Sequence, residues 1–221
     1  MPYIPCTYEE SPWKWQDSVP RYTCIINEVP VEFFTSSRGE QLKENTNLKL
    51  NGSHKRRPVV SFFNKPLMTS NDVKVMVFNS CLLYKLPKVF INSAKFAYLN
   101  ALSMRNCRIS SLAKEDLNGL TALEVIAFDE NLLEYLPANL FADFKNLKVV
   151  SFAKNRIKLV GLEIFDHLTQ LSHANYTGNT NFNILMQNST NQQATARNVL
   201  VVQTIAELKA EFYKKMFENF E

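Results

Sequence analysis

The sequence predicts an α/β solenoid. It should have a curved parallel sheet on the concave face, short helical or irregular returns on the convex face, a β-rich N-terminal cap and a helical C-terminal cap. Three observations predict it. First, LEVIAFDENLLEYLPANLFADFKN, residues 123–146, is followed at once by LKVVSFAKNRIKLVGLEIFDHLTQ. Leu123, Ile126, Phe128, Asn131, Leu133 and Leu136 hold positions 1, 4, 6, 9, 11 and 14 of the first line, and Leu147, Val150, Phe152, Asn155, Ile157 and Val160 hold them in the second. Second, the register extends both ways. Twenty-four residues earlier stand Leu99, Leu102, Met104, Cys107, Ile109 and Leu112, and 26 before those Val73, Met76, Phe78, Cys81, Leu83 and Leu86. Later come Leu171, Ala174, Tyr176 and Asn179, and the pattern fades at Phe182. Third, position 9 is always Asn or Cys. A fixed period in the twenties marks a stack of like coils.

The shared pattern, L-x-x-L-x-L-x-x-[N/C]-x-L, is the signature of the leucine-rich repeat solenoid. Each turn carries one short parallel strand whose positions 4 and 6 point inward, because side chains alternate across a strand, while positions 11 and 14 fold the return over them. One turn cannot close a core; stacking buries successive Leu, Ile and Phe at about 1.5–3 kcal/mol each. At position 9 the chain turns inward and leaves backbone groups away from water that need partners. Asn131, Asn155 and Asn179 supply them as a ladder, and Cys81 and Cys107 are small buried substitutes. Phe90, Phe141 and Phe165, with Leu86-Pro87 and Leu136-Pro137, suit short outer returns.

The ends are less regular. Residues 1–70 read as an N-terminal cap, with YTCII and VEFF as short strands and NTNLKLNGSH as a degenerate first turn. Residues 71–182 are the repeats. Residues 183–221 are an Asn-rich excursion and a cap helix, the polar composition spanning 177–198 and NVLVV forming a last edge strand. In TIAELKAEFYKKMFENF, Thr204 and Glu207 fit a capping box, and Ile205, Leu208, Phe212, Met216 and Phe220 make one apolar stripe. That stripe covers the open end of the stack or serves a partner helix, as in a monomer or a weak homodimer through the C-terminal helix.

Length and composition fit one continuous domain, 1–221: 46 % of the 221 residues are hydrophobic, enough for a core without metal or cofactor. No apolar run approaches the roughly 20 residues of a membrane span. The chain begins Met1-Pro2-Tyr3 without a basic and apolar leader, so for a secreted protein the expectation is a leader already removed. The net charge of +4 is mild, and its one basic run, Lys55-Arg56-Arg57, reads as a solvated loop; without a basic stripe interleaved with aromatics, nucleic acid is not an expected partner.

Cys6 and Cys24 flank the cap outside the repeats, and a disulfide between them is expected, favouring an extracellular setting. Cys81 and Cys107, at one position of adjacent turns, should have Cα atoms about 5 Å apart. Either a bond or two buried thiols fits. Asn51, Asn175 and Asn188 begin N-glycosylation acceptor triplets.

Positions 2, 3, 5, 7 and 8 pave the concave face, the default binding surface of such a stack. Val75, Ala101, Val125, Val149 and His173 run down position 3. Val77, Ser103, Ala127, Ser151 and Asn175 run down position 5. Together they form a small, smooth lane expected to be exposed and to meet a protein ligand. Beside it, Arg105 with Asp129 and Glu130 with Lys154 are expected cross-strand pairs. His54, His167 and His173 are dispersed and show no catalytic or metal-ligating spacing, so no enzyme activity, catalytic residue, metal or cofactor is expected. The remaining class is a secreted structural or self-assembling gland or salivary protein.

NDVKVMVFNSCLLYKLP, then LNALSMRNCRISSLAKEDLNGLTALEVIAFDENLLEYLPANLFADFKNLKVVSFAKNRIKLVG, with C…YTC ahead of them, resemble the small secreted leucine-rich repeat proteins of flies, mosquitoes and midges. The better known members are the mosquito leucine-rich immune proteins. The resemblance covers the chain from Cys6 to the terminal helix and implies an extracellular recognition factor, in innate immunity, with no catalytic residues. These residues lack the double-cysteine segment and long coiled coil of the mosquito proteins.

Overall fold

The protein, described here as a computed structural model, is defined in full at residues 74–81, 83–86, 96–187 and 199–218, and as strand backbone at 7–10, 22–27, 31–35, 42–46 and 73. The Cys6–Cys24 pairing, the acceptor triplets at Asn51 and Asn188, the Lys55-Arg57 run and Phe220 lie outside the described residues.

In chain order the strands are β1 (Thr7–Glu10), β2 (Tyr22–Asn27), β3 (Val31–Thr35), β4 (Leu42–Thr46), β5 (Val73–Asn79), β6 (Ala101–Arg105), β7 (Val125–Ala127) and β8 (Tyr135–Leu136). They continue as β9 (Val149–Ser151), β10 (Leu159–Val160), β11 (His173–Asn175), β12 (Ile184–Gln187) and β13 (Leu200–Val202), and the chain then enters helix α1 (Ile205–Phe217). Among the described residues, nine strands form one sheet in the order β1-β2-β5-β6-β7-β9-β11-β12-β13. The repeat strands β5, β6, β7, β9 and β11 are parallel, and Val75, Ala101, Val125, Val149 and His173 stand side by side without a slip. Equal spacing in sequence has become equal register, and the chain is a leucine-rich repeat solenoid.

The inward positions are buried as expected: Leu123, Ile126, Phe128, Leu147, Val150 and Phe152 are all closed to water. Position 6 forms an aromatic stack, with Phe128 and Phe152 at 6.1 Å and 11°, and Phe152 and Tyr176 at 5.7 Å and 21°. Such rings add about 0.5–1.5 kcal/mol each beyond their buried area. The Tyr176 hydroxyl has no hydrogen-bond partner, and burial pushes the phenol well above its ordinary range.

The position-9 ladder forms too. Asn131 Nδ2 donates to the carbonyls of Met104 (2.7 Å) and Asp129 (3.0 Å), and its Oδ1 accepts from the N–H groups of Cys107 (2.9 Å) and Ile109 (3.0 Å). Asn155 donates to Phe128, Phe152 and Ala153 and accepts from Leu133; Asn179 donates to Phe152 and Tyr176 and accepts from Ile157. Cys81 and Cys107 are buried thiols, not a disulfide. Cys107 Sγ donates to Phe78 O (3.5 Å) and Arg105 O (3.3 Å), the two places an Asn amide would reach. A thiol cannot also take the amide's accepting role well. Instead the Leu83 N–H bonds to the carbonyls of Cys81 and Cys107.

Just before each of these residues, position 8 is left-handed: Ser80, Asn106, Glu130 and Lys154 have φ of 53–58°, and Gly178 has φ of 71°. This is the corner that ends each strand. Further on, Gly161 allows two turns to touch, since a Cβ there would lie 2.1 Å from the Ala138 nitrogen. Among the described residues the convex returns are turns, with a 3-10 turn at Lys114–Leu117 and the short parallel pair β8 and β10.

The N-terminal end is β-rich as expected, with a pairing the spacing did not reveal, and the C-terminal end differs from expectation in one place. YTCII does form a strand, but β2 pairs in parallel with β5, Cys24 opposite Met76, and so extends the solenoid sheet, with β1 antiparallel beyond it. VEFF also forms a strand, β3, which pairs antiparallel with β4 in a separate sheet; Asn45 and Thr46 of the NTNLKLNGSH stretch belong to β4, and its remainder lies outside the described residues. The connection between β2 and β5 runs over 45 residues, against 21 between β5 and β6, so spacing could not connect them. At the far end, Ile184–Gln187 lies within the stretch whose polar composition suggested an excursion, yet it is a strand antiparallel to β11 with Ile184 and Met186 buried. The local alternation of Ile184, Leu185, Met186 and Gln187 overrides the averaged composition. Strand β13 is the edge, as expected.

Helix α1 closes this end. Thr204 Oγ1 accepts from the Glu207 N–H (3.1 Å), and the Glu207 carboxylate reaches back to the Gln203 N–H (2.9 Å). Leu208 and Phe212 are buried, with Ile205 and Met216 packed against the same core. The Phe212 ring meets Phe182 at 4.4 Å, Tyr176 at 4.9 Å and Phe165 at 5.5 Å. Lys209 pairs with Asp166 across the gap. The helix thus caps the core. No helix among the described residues is long and apolar enough to cross a membrane.

Candidate ligand-binding face

The parallel ladder carries positions 3 and 5 to the sheet face opposite the core. Val75, Ala101 and Val125 form a second apolar cluster there, with Val77 and Val149 packed against it. The lane expected at these positions exists, but it is less open than expected. Val75, Ala101 and Val125 are 0 %, 1 % and 5 % exposed, and Ala127 and Ser151 are buried as well. Strands about 4.8 Å apart place in-register neighbours in van der Waals contact, so each side chain shields the next. Toward the C-terminal end the lane opens: Val149, His173 and Asn175 are half-buried, as are Val77 and Ser103 in the earlier strands.

Two polar rails flank the lane. Along position 2, Lys74 lies 5.0 Å over the Tyr98 ring, Asn100 Nδ2 donates to Ala122 O, and Lys148 pairs with Glu124 at 3.0 Å. Along positions 7 and 8, Glu130 takes Arg105 and Lys154 on one carboxylate oxygen, each at 2.9 Å. Hydrogen bonds from Arg105 and Lys154 hold the Glu130 carboxyl down at about 2, and Glu130 in turn raises Arg105. Glu130 with Lys154 pairs as expected. Arg105 does not pair with Asp129: it reaches Glu130, because the left-handed corner turns that side chain back toward the neighbouring strand. Asp129 Oδ1 instead accepts from Ser151 Oγ (2.6 Å) and the Ala153 N–H (2.8 Å), fastening one turn to the next.

His173 ends the position-3 row, opposite Gln187 of β12. Burial lowers its pKa, against a smaller opposing pull from Asp129. At neutral pH it therefore presents a neutral imidazole. The Asn175 amide oxygen, beside it, accepts from the Thr177 hydroxyl at 2.8 Å and the Thr177 N–H at 3.1 Å. The Cys107 thiol is pushed well up by its hydrogen bond with Cys81 and by burial, so the pair is chemically quiet. Among the described residues no three His, Cys, Asp or Glu side chains converge on a metal position. The face offers a dry floor of small side chains between two charged rails.

Sequence reasoning located the lane and its residues but not the left-handed corners that aim the second rail. The only residue-type hints were Gly178 and Asn106, since both types enter that backbone region readily.

No family model and no curated protein matches the chain. Parts of several solved structures are similar to part of it. A chain of the Toll–Spatzle complex, a molecular hub in Drosophila development and innate immunity, is 23 % identical with a TM-score of 0.45, over 58 % of this chain and 18 % of that one. A chain of the TLR13–ssRNA13 complex is 16 % identical with a TM-score of 0.41, over 49 % and 18 %. A chain of the mouse RP105/MD-1 complex is 18 % identical with a TM-score of 0.37, over 49 % and 22 %. This chain therefore spans about a fifth of the length of each.

Proposed function

We propose that the chain is an extracellular, non-enzymatic recognition module that binds a protein through its concave face, in the setting of innate immunity. The observation that carries this reading is the opened end of the lane. Val149 and His173 lie side by side in register and Asn175 follows two residues along the same strand, all three half-buried, next to the Glu130 and Lys154 pair and downstream of a closed apolar floor. A preformed apolar strip with a polar rim is the anatomy of a protein interface core. The neutral His173 and the mutually satisfied charges lower the desolvation cost of covering it. Thiols as closed to water as Cys81 and Cys107 are compatible with an oxidising compartment.

The test is capture of an extracellular protein from the source animal on the immobilised chain, followed by titration with that purified protein. Val149→Glu and His173→Glu, both at half-buried positions, are expected to weaken binding by at least about tenfold, roughly 1.4 kcal/mol. Lys158→Glu on the convex side should leave it unchanged. Binding that survives both concave substitutions, with far-UV circular dichroism unaltered, would sink the assignment.

A further inference from the structure

Helix α1 has two apolar faces, and capping the solenoid uses only one. Leu208 and Phe212 are buried in the core with Ile205 and Met216 beside them. On a second side, about a third of a turn round the helix, Ala206, Ala210, Tyr213 and Phe217 are all exposed, Phe217 by 65 % and Tyr213 by 39 %. Their spacing of four, three and four residues is that of one continuous stripe down a helix. An exposed Leu162 shares a small cleft with Tyr213 and broadens the stripe at its middle.

The stripe is graded along its length. Its N-terminal half is small, Ala206 and Ala210; its C-terminal half is large, Tyr213 and Phe217. Charge follows the same gradient on one flank, with exposed Glu207 early and exposed Lys214 late, the carboxylate of Glu218 beyond it being taken up by Lys215 at 3.0 Å. A surface that is small and acidic at one end and large and basic at the other complements itself when a copy is turned end for end.

We propose that this face of α1 binds the same face of a second copy of the chain, with the two helices antiparallel about a two-fold axis near residues 211 and 212. Phe217 of one copy then lies over Ala206 of the other, and Tyr213 over Ala210. Both pairs share the same midpoint, so a single axis satisfies them together. In an antiparallel pair the flanks of like position meet, which brings Glu207 of each copy, one carboxylate oxygen of which caps its own Gln203 N–H, to Lys214 of the other through the second oxygen. Lys214 is free to make this contact, since its bond within the helix, to Glu218, is a 4.0 Å surface pair. A helix of 13 residues with two aromatic anchors offers less than the roughly 1,200 Å² of a standard interface, so the dimer is a weak one that forms with rising concentration. This surface is separate from the concave lane, and its failure would leave the reading of that lane intact.

Sedimentation equilibrium over a wide dilution series tests it. The chain is expected to pass from monomer to dimer as concentration rises. Ala210→Glu, at an exposed helical position, should abolish the dimer with thermal unfolding unchanged. Glu207→Lys alone and Lys214→Glu alone should each weaken dimerisation about three- to tenfold, and the double exchange should restore it. A chain that stays monomeric throughout overturns the proposal. So does a dimer indifferent to Ala210→Glu, or one in which the double exchange is as weak as the two single changes combined.

Discussion

Position 9 shows how much one side chain decides. Asn155 closes three carbonyls and one N–H that the inward turn strips of water. Removing the amide leaves the Phe128 carbonyl and the Leu133 N–H without it in the core, while Phe152 O keeps the Asn179 amide and Ala153 O keeps the Glu130 N–H; each such unpaired group costs about 1–3 kcal/mol. Asn155→Ala is therefore expected to destabilise by about 3–5 kcal/mol, measured by urea denaturation. Asn155→Cys should cost less than half of that, because Cys107 already holds the equivalent carbonyls through its thiol. If the two variants are equally destabilised, the ladder's hydrogen bonds are not what the position supplies. This role was legible in the sequence, since a polar residue that recurs at one place among apolar ones is there to pair backbone groups buried beside it. The left-handed corner one residue earlier was not. Ser80, Asn106, Glu130 and Lys154 share no residue type, because backbone bonds to the next turn force the conformation, as in Glu130 N–H to Ala153 O at 2.8 Å.

At the scale of elements, legibility followed local pattern. Helix α1 was readable from its cap and its stripe, since both depend on residues within one helix. Strand β2 was readable as a strand, but its parallel pairing with β5 was not, because β5 lies beyond a long connection and only the fold brings them together. The second rail fell between these cases: its residues were named, but the pairing of Arg105 depended on a corner no periodicity reveals. That rail carries a pH signature. The Glu130 carboxyl sits at about 2 in the folded chain against an ordinary 4.5, so it binds a proton less readily folded than unfolded. Its contribution to stability is present above about 4.5 and is lost as pH falls toward 2. The groups are surface-exposed, so the contribution is small, under about 1 kcal/mol. Denaturant midpoints measured across that window should fall more steeply for the native chain than for Glu130→Gln, and should converge below it. Parallel curves would show that the Arg105, Glu130 and Lys154 contacts are not held in solution.

For the whole molecule, the governing fact is that each turn touches only its neighbours, so stability passes along the stack rather than through a central point. The C-terminal end depends on α1, whose Phe212 covers Phe182, Tyr176 and Phe165 at once. Cutting the chain after Gln203 uncovers those rings together with the buried Ile184 and Met186. The last turn would then hold a large apolar surface against water with one neighbour instead of two. Loss should begin there and fade with distance, because the aromatic stack hands contact from Tyr176 to Phe152 and from Phe152 to Phe128. Amide hydrogen exchange on the truncated chain is expected to show protection lost in residues 171–187, reduced in β9, and kept in β6 and β7. Uniform loss across the stack would mean that the repeats unfold as one cooperative block. Unchanged protection would mean that the helix is not the lid of the core.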